Sequence, residues 1–213
     1  MPVVDYPPPY PVQFRGSRLA RALLSLIGWS VRFQGFPARQ GVAIVYPHTS
    51  NWDFPVMMLV KWTTGIQACF WGKDSLFRIP VFGRWLRWLG GLPIDRSATH
   101  GVVGSMVRRF EAARANNDYL WLGLSPEGTR RLTPGWRSGF YGVTVGAQVP
   151  LALVRLDYGR REVCIDQFIQ LSGDVSHDYA RLRQAFDQVR GYHAHQAAPI
   201  EPLPALTKQQ TSP

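Results

Sequence analysis

The sequence predicts a single α/β domain in which helices flank a central, largely parallel sheet. Two observations support this fold class. Short apolar runs typical of buried strands alternate with segments of helical periodicity, and polar clusters follow several of these strands. Functional groups placed after strand ends are typical of open parallel sheets. With 213 residues and 46% apolar content, the chain is long enough to bury one substantial core.

The first clear strand covers residues 41–46, an apolar run that Pro47 ends because proline fixes φ and lacks a donor N–H. His48 follows directly, and Pro55 predicts that a helix begins near Asp53, since proline is tolerated in the first helical turn. With His48 in the turn and Asp53 in that first turn, the carboxylate can bond one imidazole nitrogen. The other ring nitrogen is then free to accept a proton.

The same stretch also allows a purely structural interpretation. Ser50 and Asp53 fit the capping box, in which a serine and an acidic residue three positions later satisfy the N-terminal donors of a helix. The spacing of His48 and Asp53 does not by itself distinguish the two interpretations, because such pairs also occur by chance.

Two more polar clusters follow predicted strand ends. Residues 90–96 contain a glycine turn and then Asp95 and Arg96, which could also be a solvated ion pair. Residues 127–130, Glu-Gly-Thr-Arg, follow the buried strand predicted at residues 119–124. Glycine lets the backbone approach a ligand closely, and arginine offers a planar fork of donors that suits phosphate. An ordinary surface turn is the alternative for this cluster.

The remaining elements continue the alternation of helices and strands. Apolar residues at helical spacing predict a helix around residues 103–110, and residues 138–148 fit a short helix before a strand that begins at Val149. Residues 162–171 read as a strand. Ser176 is a candidate cap for a last helix that extends through Val189.

Together the polar clusters resemble the motifs of the phospholipid/glycerol acyltransferase family, whose best-known members are the lysophosphatidic acid acyltransferases. The resemblance covers about residues 35–156, and four motifs occur in the expected order. The first motif, H-x-S-x-x-D, and the third, E-G-T-R, are complete. The matching residues, motif by motif, are His48, Ser50 and Asp53; Lys73, Pro80, Gly83, Gly91, Asp95 and Arg96; Glu127, Gly128, Thr129 and Arg130; and Val149, Pro150, Leu151, Ala152 and Leu153.

This resemblance implies an activity like that of 1-acylglycerol-3-phosphate O-acyltransferases. A fatty acyl group would move from acyl-CoA or acyl-carrier protein to a hydroxyl of a lysophospholipid or glycerol-phosphate-like acceptor. It implies His48 as the general base and Asp53 as the residue that orients its imidazole. It implies no metal and no redox cofactor. The residues implied to organise the phosphate end of the acceptor are Arg96, Glu127, Gly128, Thr129, Arg130 and Lys73.

Some positions depart from the family pattern. Relatives often have Phe-Pro before the third motif and a serine after it, whereas this chain has Ser125-Pro126 and Arg131. Residues 136–140 stand where many relatives have Phe-Lys-x-Gly. These extra basic and aromatic groups suit a phosphate site and leave the identity of the acceptor open. Many relatives also carry an N-terminal membrane helix, for which this sequence shows no apolar run.

The net charge of +10 and the pI near 10.2 indicate anionic partners. Residues 18–32 and residues 84–89 interleave arginines with leucines and tryptophans, a pattern that suits an anionic membrane surface. No uncharged apolar run reaches the roughly 18 residues of a membrane span. We therefore expect a peripheral protein on the cytoplasmic, inner face of a membrane. The alternative places the tryptophans in the core and the arginines on a solvated face.

The expected organisation is a loose proline-rich arm over residues 1–13, an acyltransferase domain over 14–195, and a disordered polar tail over 196–213. Cys69 and Cys164 are too few for a disulfide framework and match no metal-ligand spacing, which favours the reducing cytoplasm. His193 and His195 lie near the polar C-terminus and are expected to be solvated.

Two functions from other classes remain alternatives. A thioester hydrolase could use the same His48 and Asp53 to activate water instead of an acceptor hydroxyl. A nonenzymatic basic protein that binds nucleic acid would explain the charge, but it would not explain three polar motifs after three strands. We therefore expect no nucleic-acid partner.

Overall fold

The structure is a computed structural model and describes residues 6–94 and 99–203. It contains one seven-stranded sheet. The strands in chain order are β1 (Ser30–Phe33), β2 (Gln40–Tyr46), β3 (Ala68–Lys73), β4 (Gly91–Ile94), β5 (Leu120–Leu124), β6 (Leu151–Asp157) and β7 (Glu162–Ile169). They lie side by side in the order β1-β7-β6-β2-β5-β3-β4, and every neighbouring pair is parallel except β6 and β7. The predicted single α/β domain with a largely parallel sheet is confirmed.

Helices cover both faces of this sheet. They are α1 (Arg18–Leu26), α2 (Asp53–Thr64), α3 (Asp74–Phe77), α4 (Pro80–Trp88), α5 (Thr99–Ala115), α6 (Gly139–Ala147) and α7 (Val175–Ala185), followed by a 3-10 turn at Ala194–Gln196. The ends of these helices follow the usual capping preferences. Ser17 caps α1 by accepting the N–H of Ala20, Pro80 opens α4, and Gly65 ends α2 at a φ of 77°.

The sheet has an apolar core on each face. Side chains alternate along a strand, so Val42 and Ile44 of β2 pack on the face that α5, α6 and α7 cover. Ala43 between them packs on the opposite face with Leu24 of α1 and with α2. Because β2 is central and buried on both sides, the turn that follows it has a fixed position at the carboxyl edge of the sheet.

The predicted elements agree with the structure except at residues 90–96 and near the C-terminus. Residues 91–94, predicted as part of a glycine turn, form β4, and the strand predicted to begin at Val149 begins at Leu151. The strand predicted at residues 41–46, the helix around 103–110 and the helix at 138–148 are β2, α5 and α6. The last helix begins two residues earlier than expected, since Asp174 rather than Ser176 is its cap and accepts the N–H of His177 at 3.1 Å. It ends at Ala185 instead of extending to Val189, and the strand predicted to reach residue 171 ends at Ile169.

Chain segments on both sides of the predicted 14–195 domain also pack against it, which corrects those two boundaries. Tyr10 is buried, and Val12 pairs with Phe36, so the described part of the predicted loose arm is in contact with the core. Ala198, in the predicted tail, is fully buried. We call residues 190–203 the C-terminal strap. The remaining parts of the predicted arm and tail, residues 1–5 and 204–213, lie outside the described residues.

Candidate active site

His48 and Asp53 contact each other at the carboxyl end of β2. His48 lies in the turn after the strand, and Asp53 is the first residue of α2, as the placement of Pro55 predicts. The Nδ1 atom of His48 lies 2.9 Å from Oδ2 of Asp53. The Asp53 side chain is only 2% exposed, whereas the His48 side chain is 23% exposed. With Nδ1 in contact with the carboxylate, Nε2 is the ring nitrogen left for other contacts.

Asp53 also takes part in the capping interaction that the alternative interpretation predicts. Its Oδ2 accepts the backbone N–H of Ser50 at 2.9 Å, which is one half of a capping box. The other half does not form, because the Ser50 hydroxyl accepts the N–H of Trp52 at 3.1 Å. The two interpretations of this motif are therefore compatible, since one carboxylate oxygen binds both the turn backbone and the imidazole.

Tyr158 is a site residue that the sequence analysis missed. It follows β6 directly, and its hydroxyl donates a hydrogen bond of 2.7 Å to Oδ1 of Asp53. Because β6 lies beside β2, the end of β6 reaches the start of α2. A signal was present in the sequence. Tyr158 stands at the end of the Val149 strand, the position that made the other three strand-end clusters candidates.

Glu127 connects the third motif to the first. One carboxylate oxygen accepts the backbone N–H of His48 at 2.6 Å, and the other accepts the N–H of Ala198 at 3.0 Å. Burial raises the pKa of Glu127 to about 7, a shift that these two hydrogen bonds oppose and that the nearby charge of Asp53 supports. Glu127 therefore holds the His48 turn and the C-terminal strap rather than lying on an open binding surface.

The rest of the third motif forms a tight turn. Gly128 has a φ of 66°, a conformation that strongly favours glycine, and a Cβ there would lie 2.6 Å from the Arg137 side chain. The Thr129 hydroxyl accepts the N–H of Arg131 at 3.3 Å. This turn brings Arg130, which is exposed, to the same side of the sheet as the His48 turn.

A cleft of about 690 Å³ separates the two motifs from the C-terminal strap. Its lining includes residues from all three segments, namely Thr49, Ser50, Asn51, Trp52, Arg130, Arg131, Tyr192, His193 and Gln196. The N–H of His193 donates to the Thr49 hydroxyl at 3.1 Å, so the strap is tied to the His48 turn. The side chains of His193 and His195 are exposed, as expected.

Of the predicted site residues that the structure describes, Arg130 lines this cleft, whereas His48, Asp53, Glu127, Gly128 and Thr129 belong to the turns whose neighbouring residues line it. Lys73 is exposed at the end of β3, which is separated from β2 by β5 in the sheet. Arg96, together with Asp95, lies outside the described residues. Within residues 6–94 and 99–203, no three His, Cys, Asp or Glu side chains come together as a metal site would require.

An open α/β sheet with a carboxylate-held histidine at its carboxyl edge is typical of enzymes that activate a hydroxyl group or water. A sequence model of the family described as acyltransferase matches residues 30–152, which is more than half of the chain. The chain therefore belongs to the acyltransferase family, which confirms the family predicted from the four motifs.

The chain is also similar to a solved structure, the 1-acyl-sn-glycerophosphate (LPA) acyltransferase PlsC from Thermotoga maritima. The two chains share 14% identity over 91% of this chain and 77% of the other, with a TM-score of 0.47. A likeness at this level says nothing about what the present chain acts on. No curated protein matches the sequence significantly.

Proposed function

We propose that this acyltransferase moves a fatty acyl group from a thioester donor, acyl-CoA or acyl-carrier protein, to a hydroxyl of a lysophospholipid or glycerol-phosphate-like acceptor. The contact between Nδ1 of His48 and Oδ2 of Asp53 is the observation that carries this proposal. It leaves Nε2 of a partly exposed imidazole unpaired with Asp53, and the neighbouring residues Thr49 and Ser50 line a cleft together with Arg130 and Arg131. A base can take the proton from the hydroxyl of a phosphorylated alcohol, and a pair of cations can bind its phosphate.

In the proposed reaction, Nε2 of His48 removes the proton from the acceptor hydroxyl while that oxygen attacks the thioester carbonyl. The new C–O bond forms as the C–S bond breaks, and the leaving thiolate takes the proton from the imidazolium. Asp53 stabilises the imidazolium between these two steps. A general base contributes about 10²–10⁴ in rate, so the cleft must supply much of the remainder by positioning both substrates.

We assign the phosphate of the acceptor to Arg130, with Arg131 as a second cation. Both line the cleft that begins next to His48. A guanidinium binds phosphate through two parallel donors, which fixes the orientation of the acceptor as well as its affinity. In this proposal Glu127 positions the loop and does not touch phosphate. Gly128 and Thr129 shape the turn that presents Arg130, while Lys73 and Arg96 remain proposed contacts.

The proposed reaction transfers a fatty acyl chain and its acceptors include lysophospholipids, so we further propose that the enzyme is peripheral on the cytoplasmic face of an anionic membrane. The first supporting feature is the α4 patch, which we define as Val81, Phe82, Trp85 and Trp88. All four side chains are exposed, Trp88 to 75%. They alternate with the exposed Arg84 and Arg87, and apolar groups flanked by arginines suit the headgroup region of a bilayer.

The second supporting feature is the α1 stripe, which we define as Leu19, Leu23 and Leu26. These residues lie along one side of α1 and are exposed, Leu26 to 82%. Leu19 and Leu23 line an apolar hollow of about 520 Å³ between α1 and α2, which Trp62 also lines. Among the described helices, none is long and apolar enough to cross a membrane.

Purified protein incubated with labelled acyl-CoA and, separately, acyl-carrier protein tests the proposed activity. Each donor is offered with lysophospholipids, glycerol phosphate and non-phosphorylated lyso-lipids, and the products are identified by mass. We expect transfer to a phosphorylated acceptor and little release of free fatty acid. Release of fatty acid at the same rate with and without every acceptor would support the hydrolase instead. Strongly salt-dependent nucleic-acid binding without thioester consumption would support the nonenzymatic alternative.

A further inference from the structure

Tyr158 is fixed in place at the end of β6. Its ring packs edge-on against Trp29 at 4.7 Å and against Tyr192 at 5.3 Å between ring centroids. Its backbone N–H donates to the carbonyl of Arg190 at 2.8 Å. Contacts on both sides of the ring thus aim the hydroxyl at Oδ1 of Asp53, 2.7 Å away.

We infer that Tyr158 is a positioning residue that acts on His48 through Asp53. This inference rests on the acyl transfer proposed above, in which Nε2 of His48 takes the proton. Oδ2 of Asp53 already accepts from Ser50 and from the imidazole. The Tyr158 hydroxyl binds the other oxygen, so the carboxylate cannot rotate without losing a hydrogen bond. It fixes the angle at which the imidazole faces the cleft.

The hydroxyl also sets how strongly Asp53 attracts the proton on His48. A hydrogen bond donated to a carboxylate draws electron density from it and weakens its hold on a neighbouring cation. Burial and the contact with Asp53 raise the pKa of Tyr158, so the hydroxyl stays a donor at neutral pH. The other titratable or charged groups around this site are Glu127, Arg130 and Arg131 from the third motif and Tyr192 and His193 from the strap, and none of them is changed by substituting Tyr158.

Tyr158→Phe tests the inference, because phenylalanine keeps the ring contacts and removes only the hydroxyl. Without that donor, Asp53 holds the proton on His48 more strongly. The acid limb of the kcat/KM pH profile should therefore move to higher pH. We expect kcat to fall about tenfold at neutral pH with little change in the KM of either substrate.

Tyr141→Phe is the matched control. Tyr141 donates a hydrogen bond of 2.8 Å to Oδ2 of Asp178, which is also a buried carboxylate, but this pair joins α6 to α7 away from the cleft. The control therefore removes a hydrogen bond of the same kind and of similar length. It should lower stability in a similar way while leaving the pH profile unchanged. If Tyr158→Phe and Tyr141→Phe have the same kcat/KM pH profile, Tyr158 is only structural and the inference is overturned.

A second variant separates the inference from an effect on folding, and a second readout separates it from the proposed acyl transfer. Site-specific 3-fluorotyrosine at position 158 retains a hydroxyl that donates more strongly, so the acid limb should move to lower pH. The second readout is the titration of the His48 ring, followed by ¹⁵N NMR. Its midpoint should move to higher pH in Tyr158→Phe and to lower pH in the 3-fluorotyrosine variant. An unchanged His48 titration in Tyr158→Phe would overturn the inference. Absence of acyl transfer in the wild type would overturn only the proposed function.

Discussion

Glu127 accepts the backbone N–H of His48 at 2.6 Å, so the third motif holds the turn that carries the first. The other oxygen of the same carboxylate binds the N–H of Ala198 in the C-terminal strap, and the carbonyl of Ala198 accepts the hydroxyl of Tyr46. One buried acid thus fixes the position of the histidine relative to the wall of the cleft. Its contribution to the site is geometric.

The buried carboxyl of Glu127 should make stability depend on pH. Its pKa is raised from the ordinary value of 4.5 to about 7 in the folded protein. The stability that it contributes is fully present below pH 4.5 and is lost as the pH rises through about 7. Glu127→Gln removes this ionisation, so we expect its free energy of unfolding to fall less steeply than that of the wild type between pH 5 and pH 8. Urea unfolding across this range measures both slopes.

Glu111→Gln, at an exposed position of α5, is the control for this experiment and should follow the wild-type slope. Parallel slopes for Glu127→Gln and the wild type would mean that the two backbone donors keep Glu127 ionised throughout the range.

The sequence was sufficient for the fold class and for the His48–Asp53 contact, because both depend on local rules. A buried strand, a proline that ends it and a second proline in the first turn of a helix determine where the two side chains lie. Contacts between residues that are far apart in the sequence leave no local pattern from which they could be predicted. The bond of Tyr158 to Asp53 depends on β6 lying beside β2, and the burial of Ala198 depends on a partner at Glu127.

Composition led to a wrong prediction for residues 6–13 and 196–203, the described parts of the expected arm and tail. Polar, proline-rich segments are typical of disorder, yet a few well-placed contacts are enough to order such a segment. In the C-terminal strap, Glu201 accepts the N–H of Trp136 at 2.8 Å through its backbone carbonyl, and Leu203 donates to the carbonyl of Trp136 at 3.2 Å. Proline has no N–H to donate, but its neighbours can still pair with the domain.

His48→Ala should abolish acyl transfer while leaving the fold intact, because the partly exposed imidazole contributes chemistry rather than packing. The expected loss in kcat is at least about 10²–10⁴, and Asp53→Asn should cost less but still more than tenfold, since the imidazole loses its orientation. His177→Ala, an exposed histidine on α7, is the control and should retain full activity. Turnover near the wild-type rate in folded His48→Ala would rule out the proposed mechanism.

Arg130→Ala should act on acceptor binding. Loss of a charge-assisted pair of hydrogen bonds predicts a rise of about 10–100-fold in the KM of a phosphorylated acceptor, with a much smaller effect on kcat and on the donor KM. Arg108→Ala removes an exposed arginine from α5 and controls for the change in net charge. If the acceptor KM stays at the wild-type value, the phosphate is bound elsewhere, and Arg131 becomes the next variant to measure.

Trp85 and Trp88 should anchor the enzyme to lipid. The alternative that the tryptophans of the two arginine-rich segments belong to the core is correct for Trp29, which is buried, and wrong for Trp85 and Trp88, which are exposed. Trp85 contacts Phe54 of α2 at 6.1 Å between ring centroids, while Trp88 is the more exposed of the two. Attraction between the arginines and an anionic bilayer should weaken as salt screens it, over a Debye length near 8–10 Å at physiological ionic strength. Insertion of the indole rings should resist salt.

Vesicle flotation with neutral and anionic lipids across a salt series separates these two contributions. Wild type should float best with anionic vesicles at low salt and retain some binding at high salt. Replacing both tryptophans with alanine should remove the salt-resistant part, whereas replacing both with phenylalanine, which keeps an aromatic ring, should preserve some of it. Equal flotation with both lipids, or none with either, would contradict peripheral attachment through this surface. The exposed rings of α4 would then be assigned to a contact other than the bilayer.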